Sequence, residues 1–322
     1  MRKVAVADVG GTHARFAVAE IEGGRVVALG EPVTLKTSEH GSFQLAWEEF
    51  GRRAGIDLPQ ELAIAFAGPV GGEVLKLTNN PWVIRPALIK ERLGVDRYTI
   101  VNDFGAVAHA VATLGDEHFQ HLCGPERPLP PEGVTSIVGP GTGLGVAALL
   151  RRNGRYEVIE TEGGHIDFAP LDVLEDKILT HLRRNFRRVS VERVAAGQGL
   201  WNLYDALAAI EGLNLTIHDE KELWAAALEG RDSLATAALD RLCLSLGAVA
   251  GDIALAQGAN SAVIAGGVGL RLANYLPRSG FRDRFIAKGR FERRMDEVPV
   301  KLITHPQPGL IGAAAAFAKE HG

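Results

Sequence analysis

The sequence predicts a duplicated α/β fold of mixed sheets, with one phosphate-binding hairpin in each half, and three observations carry the prediction. An apolar run at residues 4–7 leads through Asp8-Val9-Gly10-Gly11-Thr12 into a second apolar run, Phe16-Ala17-Val18-Ala19. The same order recurs at Ser136-Ile137-Val138, which leads through Gly139-Pro140-Gly141-Thr142-Gly143-Leu144-Gly145 into Val146-Ala147-Ala148-Leu149-Leu150. In both copies the second run ends at a polar turn, Glu22-Gly23-Gly24 or Arg152-Asn153-Gly154, and a third short apolar run begins at Val26-Val27 or around Tyr156 and Val158. Glycines let backbone N–H groups approach phosphate oxygens closely, and a threonine hydroxyl adds a donor, so two such turns can hold one nucleotide between them.

The 322 residues suffice for two domains of ordinary size. Over the first hundred, strand-like runs at 4–9, 16–21, 62–67 and 99–101 alternate with helical segments at 42–54 and 86–93. Ser42 is placed to cap the first helix, and Pro86 suits the first turn of the second. A hairpin followed by crossovers gives a mixed sheet. Residues 124–133, rich in proline, form a surface connector before the second hairpin. Residues 171–260 are mainly helical: Ile178, Leu179 and Leu182 share one face, as do Leu203, Leu207 and Ile210, and the Ala/Leu-rich stretch 234–256 reads as a long buried helix. A buried strand at 262–265 ends at Gly266-Gly267, another strand spans 300–303, and 309–317 forms a small-residue helix that packs closely on a neighbour.

Hydrophobic residues make up 46% and charged residues 23%, the balance of a soluble globular protein. A net charge of −4 argues against general attraction to nucleic acid or to membranes. Arg183, Arg184, Arg187 and Arg188 read as a solvated helix face in preference to an anion site. Cys123 and Cys243 are too few for a disulfide framework or a four-ligand zinc site and pack as small apolar groups. No signal-type apolar region follows Met1-Arg2-Lys3, so a cytoplasmic enzyme or binding protein is expected.

Asp8, at the end of the first strand beside Gly10-Gly11, is either a carboxylate that holds Mg²⁺ through water against nucleotide phosphates or a turn aspartate that satisfies its own backbone. The second turn lacks Gly-Lys-Ser or Gly-Lys-Thr, which excludes a Walker-type loop, and it leads into a strand, which disfavours a dinucleotide-binding turn. Asn102-Asp103 follows a strand directly, where α/β sheets bind ligands; Asp103 can take a hydroxyl proton and Asn102 can bond a neighbouring hydroxyl, or the pair can simply cap the next helix. Glu160, Glu162 and Asp167 surround His165 at a Gly-Gly bend, a set suited to adjacent sugar hydroxyls, although His165 reads equally as a structural hydrogen bonder. Glu192 reads as an exposed helix charge.

Taken together, Asp8-Val9-Gly10-Gly11-Thr12-His13-Ala14-Arg15, Asn102-Asp103-Phe104, Gly141-Thr142-Gly143-Leu144-Gly145, Glu162-Gly163-Gly164-His165-Ile166-Asp167-Phe168, Ser190-Val191-Glu192-Arg193-Val194 and Ala265-Gly266-Gly267 resemble, in this order and over essentially the whole length, the bacterial glucokinases of the hexokinase–actin–heat-shock ATPase superfamily. The resemblance implies a two-lobed ribonuclease H-like, actin-like ATPase fold with nucleotide and sugar in the interdomain cleft. It also implies a small domain from 1–106 plus 309–322 and a large domain from 107–308 with a mostly helical insertion.

Asp8, Gly10, Gly11 and Thr12, with Gly141, Thr142 and Gly143, would then embrace the phosphates of ATP and its Mg²⁺, and Gly266 and Gly267 would lie against the adenosine. Asp103 would act as base on the 6-hydroxyl of glucose. Asn102, Glu162, His165, Glu192 and, in the loop Thr78-Asn79-Asn80-Pro81-Trp82, Asn79 would bond other hydroxyls, and the protein would be a homodimer. His13 replaces the usual asparagine, and Pro140 replaces a small residue and has no N–H to donate. The zinc motif of the ROK sugar kinases is absent from the sequence. A kinase for another hexose, a non-catalytic sugar sensor and an actin-like assembly protein are the competing functions.

Overall fold

Each of the two hairpins expected from sequence opens its own sheet. In the computed structural model, which describes residues 1–77 and 80–322, the chain divides into two compact units, Met1–Gly115 with His305–Gly322 and Asp116–Thr304. Asn79 and Thr78 lie outside the described residues.

The first unit begins with β1 (Arg2–Val9), β2 (His13–Glu22), β3 (Arg25–Leu29) and β4 (Val33–Lys36), followed by α1 (Phe43–Ala54) and β5 (Glu61–Phe66). A short hairpin, β6 (Leu75–Lys76) and β7 (Val83–Ile84), precedes α2 (Ile89–Leu93), β8 (Arg97–Asn102) and α3 (Asp103–Thr113). Ser42 caps α1 as expected, its Oγ accepting from Leu45 N at 3.2 Å, and Gly55 ends the helix in the left-handed conformation. Strand order is β3-β2-β1-β5-β8, with β4 also on β2. β1 pairs antiparallel with β2, whereas β1, β5 and β8 run parallel, the mixed arrangement expected. Alternation along β1 sends Ala5, Ala7 and Val9 to one face with Phe16, Phe43, Trp47 and Phe50, and Val4 and Val6 to the other.

The second unit runs β9 (Phe119–Cys123), β10 (Gly133–Pro140), β11 (Leu144–Arg152), β12 (Arg155–Thr161), α4 (Val173–Leu182), α5 (Glu192–Ala195), α6 (Gly197–Glu211), α7 (Glu220–Glu229), α8 (Ser233–Ala256), β13 (Ser261–Ile264), α9 (Gly266–Arg271), α10 (Phe281–Ile286), α11 (Glu292–Asp296) and β14 (Val300–Ile303). Its sheet order is β12-β11-β10-β13-β14-β9. Setting aside the edge strand β9, this repeats the first sheet: three antiparallel strands beginning at a glycine turn, then two strands parallel to the first. The duplication read in the sequence is therefore a duplicated topology. α8 is long and apolar enough to cross a membrane, yet its Leu239, Leu242, Leu246 and Ala250 are buried in the core of this unit.

The chain returns to the first unit with α12 (Pro308–His321). Leu310, Ala313, Ala314 and Phe317 cover Val4, Val6, Ala63 and Ala65 of its sheet, and Gly312 lies so close to α3 that a Cβ there would fall 1.7 Å from the carbonyl oxygen of Ala106. A cut at 106 would divide α3. One expectation is corrected: the arginines at 183, 184, 187 and 188 do not form a helix face. α4 ends at Leu182, where its apolar stripe ends, and the arginines lie exposed on the turn that follows.

Candidate active site

In the first unit the parallel strands bring the expected residues to one edge. Register places Asp8 beside Ala65, and Ala65 beside Val101, so Asp8 and the pair Asn102-Asp103 leave the C-terminal ends of strands two positions apart, about 10 Å. Asn102 is the helix cap: its Oδ1 accepts from Phe104 N at 2.9 Å and Gly105 N at 3.2 Å, and its Nδ2 donates to Gly68 O at 3.2 Å. Asp103 is therefore the first helical residue, half-buried, with its Oδ1 accepting from Phe104 N at 3.0 Å. Capping and a ligand role are compatible here, because the cap uses Asn102 and leaves Asp103 at the mouth of the helix.

Asp8 faces Arg15 across the hairpin, Arg15 Nη1 donating to Oδ2 at 3.3 Å. Burial pushes its carboxyl above the ordinary carboxylate range, and the Arg15 charge opposes the shift. The Gly10-Gly11-Thr12 turn is held from behind. Buried Thr37 donates from Oγ1 to Gly11 O at 2.7 Å, Asn80 Nδ2 donates to the same oxygen at 2.9 Å, and Thr37 N donates to Thr12 O at 3.0 Å. Thr12 and His13 stay exposed at the tip. Sequence reasoning misses Thr37 and Asn80, because their role arises only in the tertiary fold; of the two, only the Asn80 loop carries a local signal.

In the second unit the turn at 141–143 closes through Gly141 N to Gly143 O at 2.8 Å, and Gly197 N, opening α6, donates to Gly141 O at 2.8 Å. Thr142 and Gly143 are exposed, as at the first tip. Gly266, at φ +80°, packs on this strand end, where a Cβ would lie 2.5 Å from Pro140 O. Pro140 thus contributes its carbonyl to the contact with Gly266, and its missing N–H falls at the last pair of the ladder, opposite Leu144.

The same unit collects Glu162, His165 and Glu192. His165 Nδ1 is 3.6 Å from Glu192 Oε1, and its Nε2 is 3.8 Å from Glu162 Oε2. Glu192 begins α5, is only 19% exposed, and receives the Ser190 hydroxyl at 3.5 Å. Its Oε2 would lie 3.1 Å from a Cβ at Gly143, so the carboxylate touches the glycine turn itself. Two carboxylates and an imidazole at this spacing can accept from and donate to neighbouring hydroxyls of a polyol. Asp167 forms an ion pair with Arg188.

A family model described as glucokinase matches residues 5–320. A glucokinase of Zymomonas mobilis is 65% identical over 319 residues, covering 99% of this chain and 98% of its own length. A glucokinase of Caulobacter vibrioides is 40% identical over 319 residues, covering 98% and 95%. The solved glucokinase of an Antarctic psychrotroph superimposes with a TM-score of 0.87 at 32% identity, with 99% of each chain covered.

Proposed function

The chain belongs to the glucokinase family, and on that premise we propose that it transfers the terminal phosphoryl group of ATP to the 6-hydroxyl of glucose, with Asp103 as general base. The observation that carries the residue assignment is the Glu162–His165–Glu192 cluster lying directly against the glycine turn at 141–143. A group that binds polyol hydroxyls and a group that binds phosphate are neighbours, as a sugar kinase requires.

Phosphoryl transfer passes through a loose transition state that needs positioning and charge neutralisation more than covalent help. The backbone amides of Gly11 and Thr12 and of Thr142 and Gly143 donate to phosphate oxygens and offset charge on the transferring group, while Gly10 N and Gly141 N close the two turns on His13 O and Gly143 O. Gly266 and Gly267 lie against the adenosine. Asp103 orients the attacking hydroxyl and accepts its proton late, so an ordinary carboxylate is basic enough. Glu162, His165 and Glu192 bond the remaining hydroxyls, joined by Asn79 and Asn102.

Asp8 would hold Mg²⁺ through water. The donor set fits: Asp8 offers a hard carboxylate on a side chain 24% exposed, and among the described residues no group of three ligating side chains competes for the ion. When bound, Mg²⁺ supplies positive charge to the phosphates. The enzyme works as a cytoplasmic homodimer without nucleic-acid or membrane partners, a location that suits two free buried thiols.

Purified protein supplied with ATP, Mg²⁺ and a panel of hexoses tests the substrate. Glucose 6-phosphate should form, with the highest kcat/KM for glucose. No product above background, or a clear preference for mannose, fructose or an amino sugar, overturns it.

A further inference from the structure

We propose that Gly309 is a positioning residue: by presenting no side chain at the first turn of α12, it seats the Asp8 carboxylate in the orientation that serves nucleotide-bound Mg²⁺. The proposal rests on Asp8 serving that ion. The backbone of Asp8 is fixed on both sides, by antiparallel pairing to Arg15 and parallel pairing to Ala65. Its side chain therefore leaves the strand between two walls. One is Arg15, half-exposed and bonded at 3.3 Å, longer than a tight charge-assisted bond. The other is Gly309, where a Cβ would fall 2.9 Å from both Cγ and Oδ2 of Asp8 and 3.4 Å from Oδ1. All three carboxyl atoms thus rest on the bare Cα of one glycine.

Nothing in the backbone calls for glycine there. Gly309 lies in a helix and outside the left-handed region, where alanine is the better helix former. Nor can the helix retreat to admit a methyl group. Leu310, Ala313 and Phe317 are buried against the sheet, and Gly312 is already pressed onto the Ala106 carbonyl. A side chain at 309 is accommodated by moving Asp8.

The test is Gly309→Ala in the full-length protein, alone and combined with Asp8→Asn. The readouts are Mg²⁺-dependent binding of a non-hydrolysable ATP analogue and, separately, glucose binding, both by titration calorimetry. Gly309→Ala should raise the Kd for the Mg²⁺–analogue complex by about ten- to a hundredfold, the usual effect of disturbing a ligand's supporting contact. Glucose binding should be unchanged, and adding Gly309→Ala to Asp8→Asn should cause no further weakening. Equal weakening in both backgrounds means that Gly309 acts through helix packing and overturns the proposal. If Asp8→Asn alone leaves Mg²⁺-dependent binding intact, the premise about Asp8 fails first. Should Gly309→Ala not fold, the combination with Asp8→Ala decides: recovered folding supports the steric contact, and continued misfolding overturns it.

Discussion

Replacing Gly164 with alanine probes how the Glu162, His165 and Glu192 side chains, proposed to bind the sugar, are held in place. A Cβ at position 164 falls 1.9 Å from the carbonyl oxygen of Leu144. Ordinary contact needs about 3.5 Å, so the segment 162–165 must lift from β11 by about 1.6 Å. Leu144 is anchored by its side chain, which is buried in the core of this unit, and Gly163 is itself pressed onto Val146, with 2.9 Å from a built Cβ to Cγ1. His165 starts 3.6 Å from Glu192, an ion-pair contact, and a lift away from that carboxylate widens the gap to about 5 Å, where the two no longer share one hydroxyl. A displacement of this size at a substrate-positioning group costs about a hundredfold in rate. The assay is steady-state glucose phosphorylation coupled to product detection, with nucleotide binding measured in parallel. Expected are a kcat/KM for glucose lowered by that factor and nucleotide affinity close to wild type. A folded Gly164→Ala protein with wild-type kcat/KM would refute the reasoning.

Asp8→Asn should abolish Mg²⁺-dependent turnover while raising the apoprotein's stability at neutral pH by roughly 1 kcal/mol. Burial raises the Asp8 carboxyl in the folded state, so the folded protein binds that proton more tightly than the unfolded chain, and stability falls as pH rises from the unfolded value through the folded one. The variant loses this decline, so melting curves should separate from wild type above the acid range; a variant less stable at neutral pH contradicts this. Gly312→Ala should destabilise by roughly 3 kcal/mol through overpacking between α12 and α3, read as a lower denaturation midpoint, and an unchanged midpoint would count against the close contact. Burial pushes the Cys123 and Cys243 thiols up to about 12, so both stay protonated and unalkylated by iodoacetamide in the native protein at mildly alkaline pH, while unfolded chain reacts at both. Rapid modification of native protein would contradict their burial.

The hairpins were legible because their chemistry is local: glycine, threonine and flanking apolar strands are contiguous, and the fold adds only the tying of Gly11 O and Gly141 O from behind. Asn102-Asp103 was legible as a pair with two competing roles, and the fold divides them, the cap to Asn102 and the helix mouth to Asp103. Glu192 was not legible from its own surroundings. It opens a four-residue helix, and its significance lies in touching His165 and Gly143, which come from separate segments. Gly309 carries still less signal, since its partner Asp8 lies at the other end of the chain. β9, Phe-Gln-His-Leu-Cys, shows no clean alternation; it forms as an antiparallel strand on the edge of β14, with a bulge at Val300/Lys301.

Asp103, at the mouth of α3, is the proposed base for phosphoryl transfer to glucose. The most direct measurement is kcat for Asp103→Asn beside wild type with Mg-ATP, together with glucose affinity for both proteins. Asparagine keeps the shape and can still sit at the first helical position, but it cannot accept the proton. A kcat lowered by about a hundredfold or more, with glucose binding retained, is the predicted result. Undiminished turnover in the variant would mean that Asp103 only starts a helix and that the chemistry is carried elsewhere.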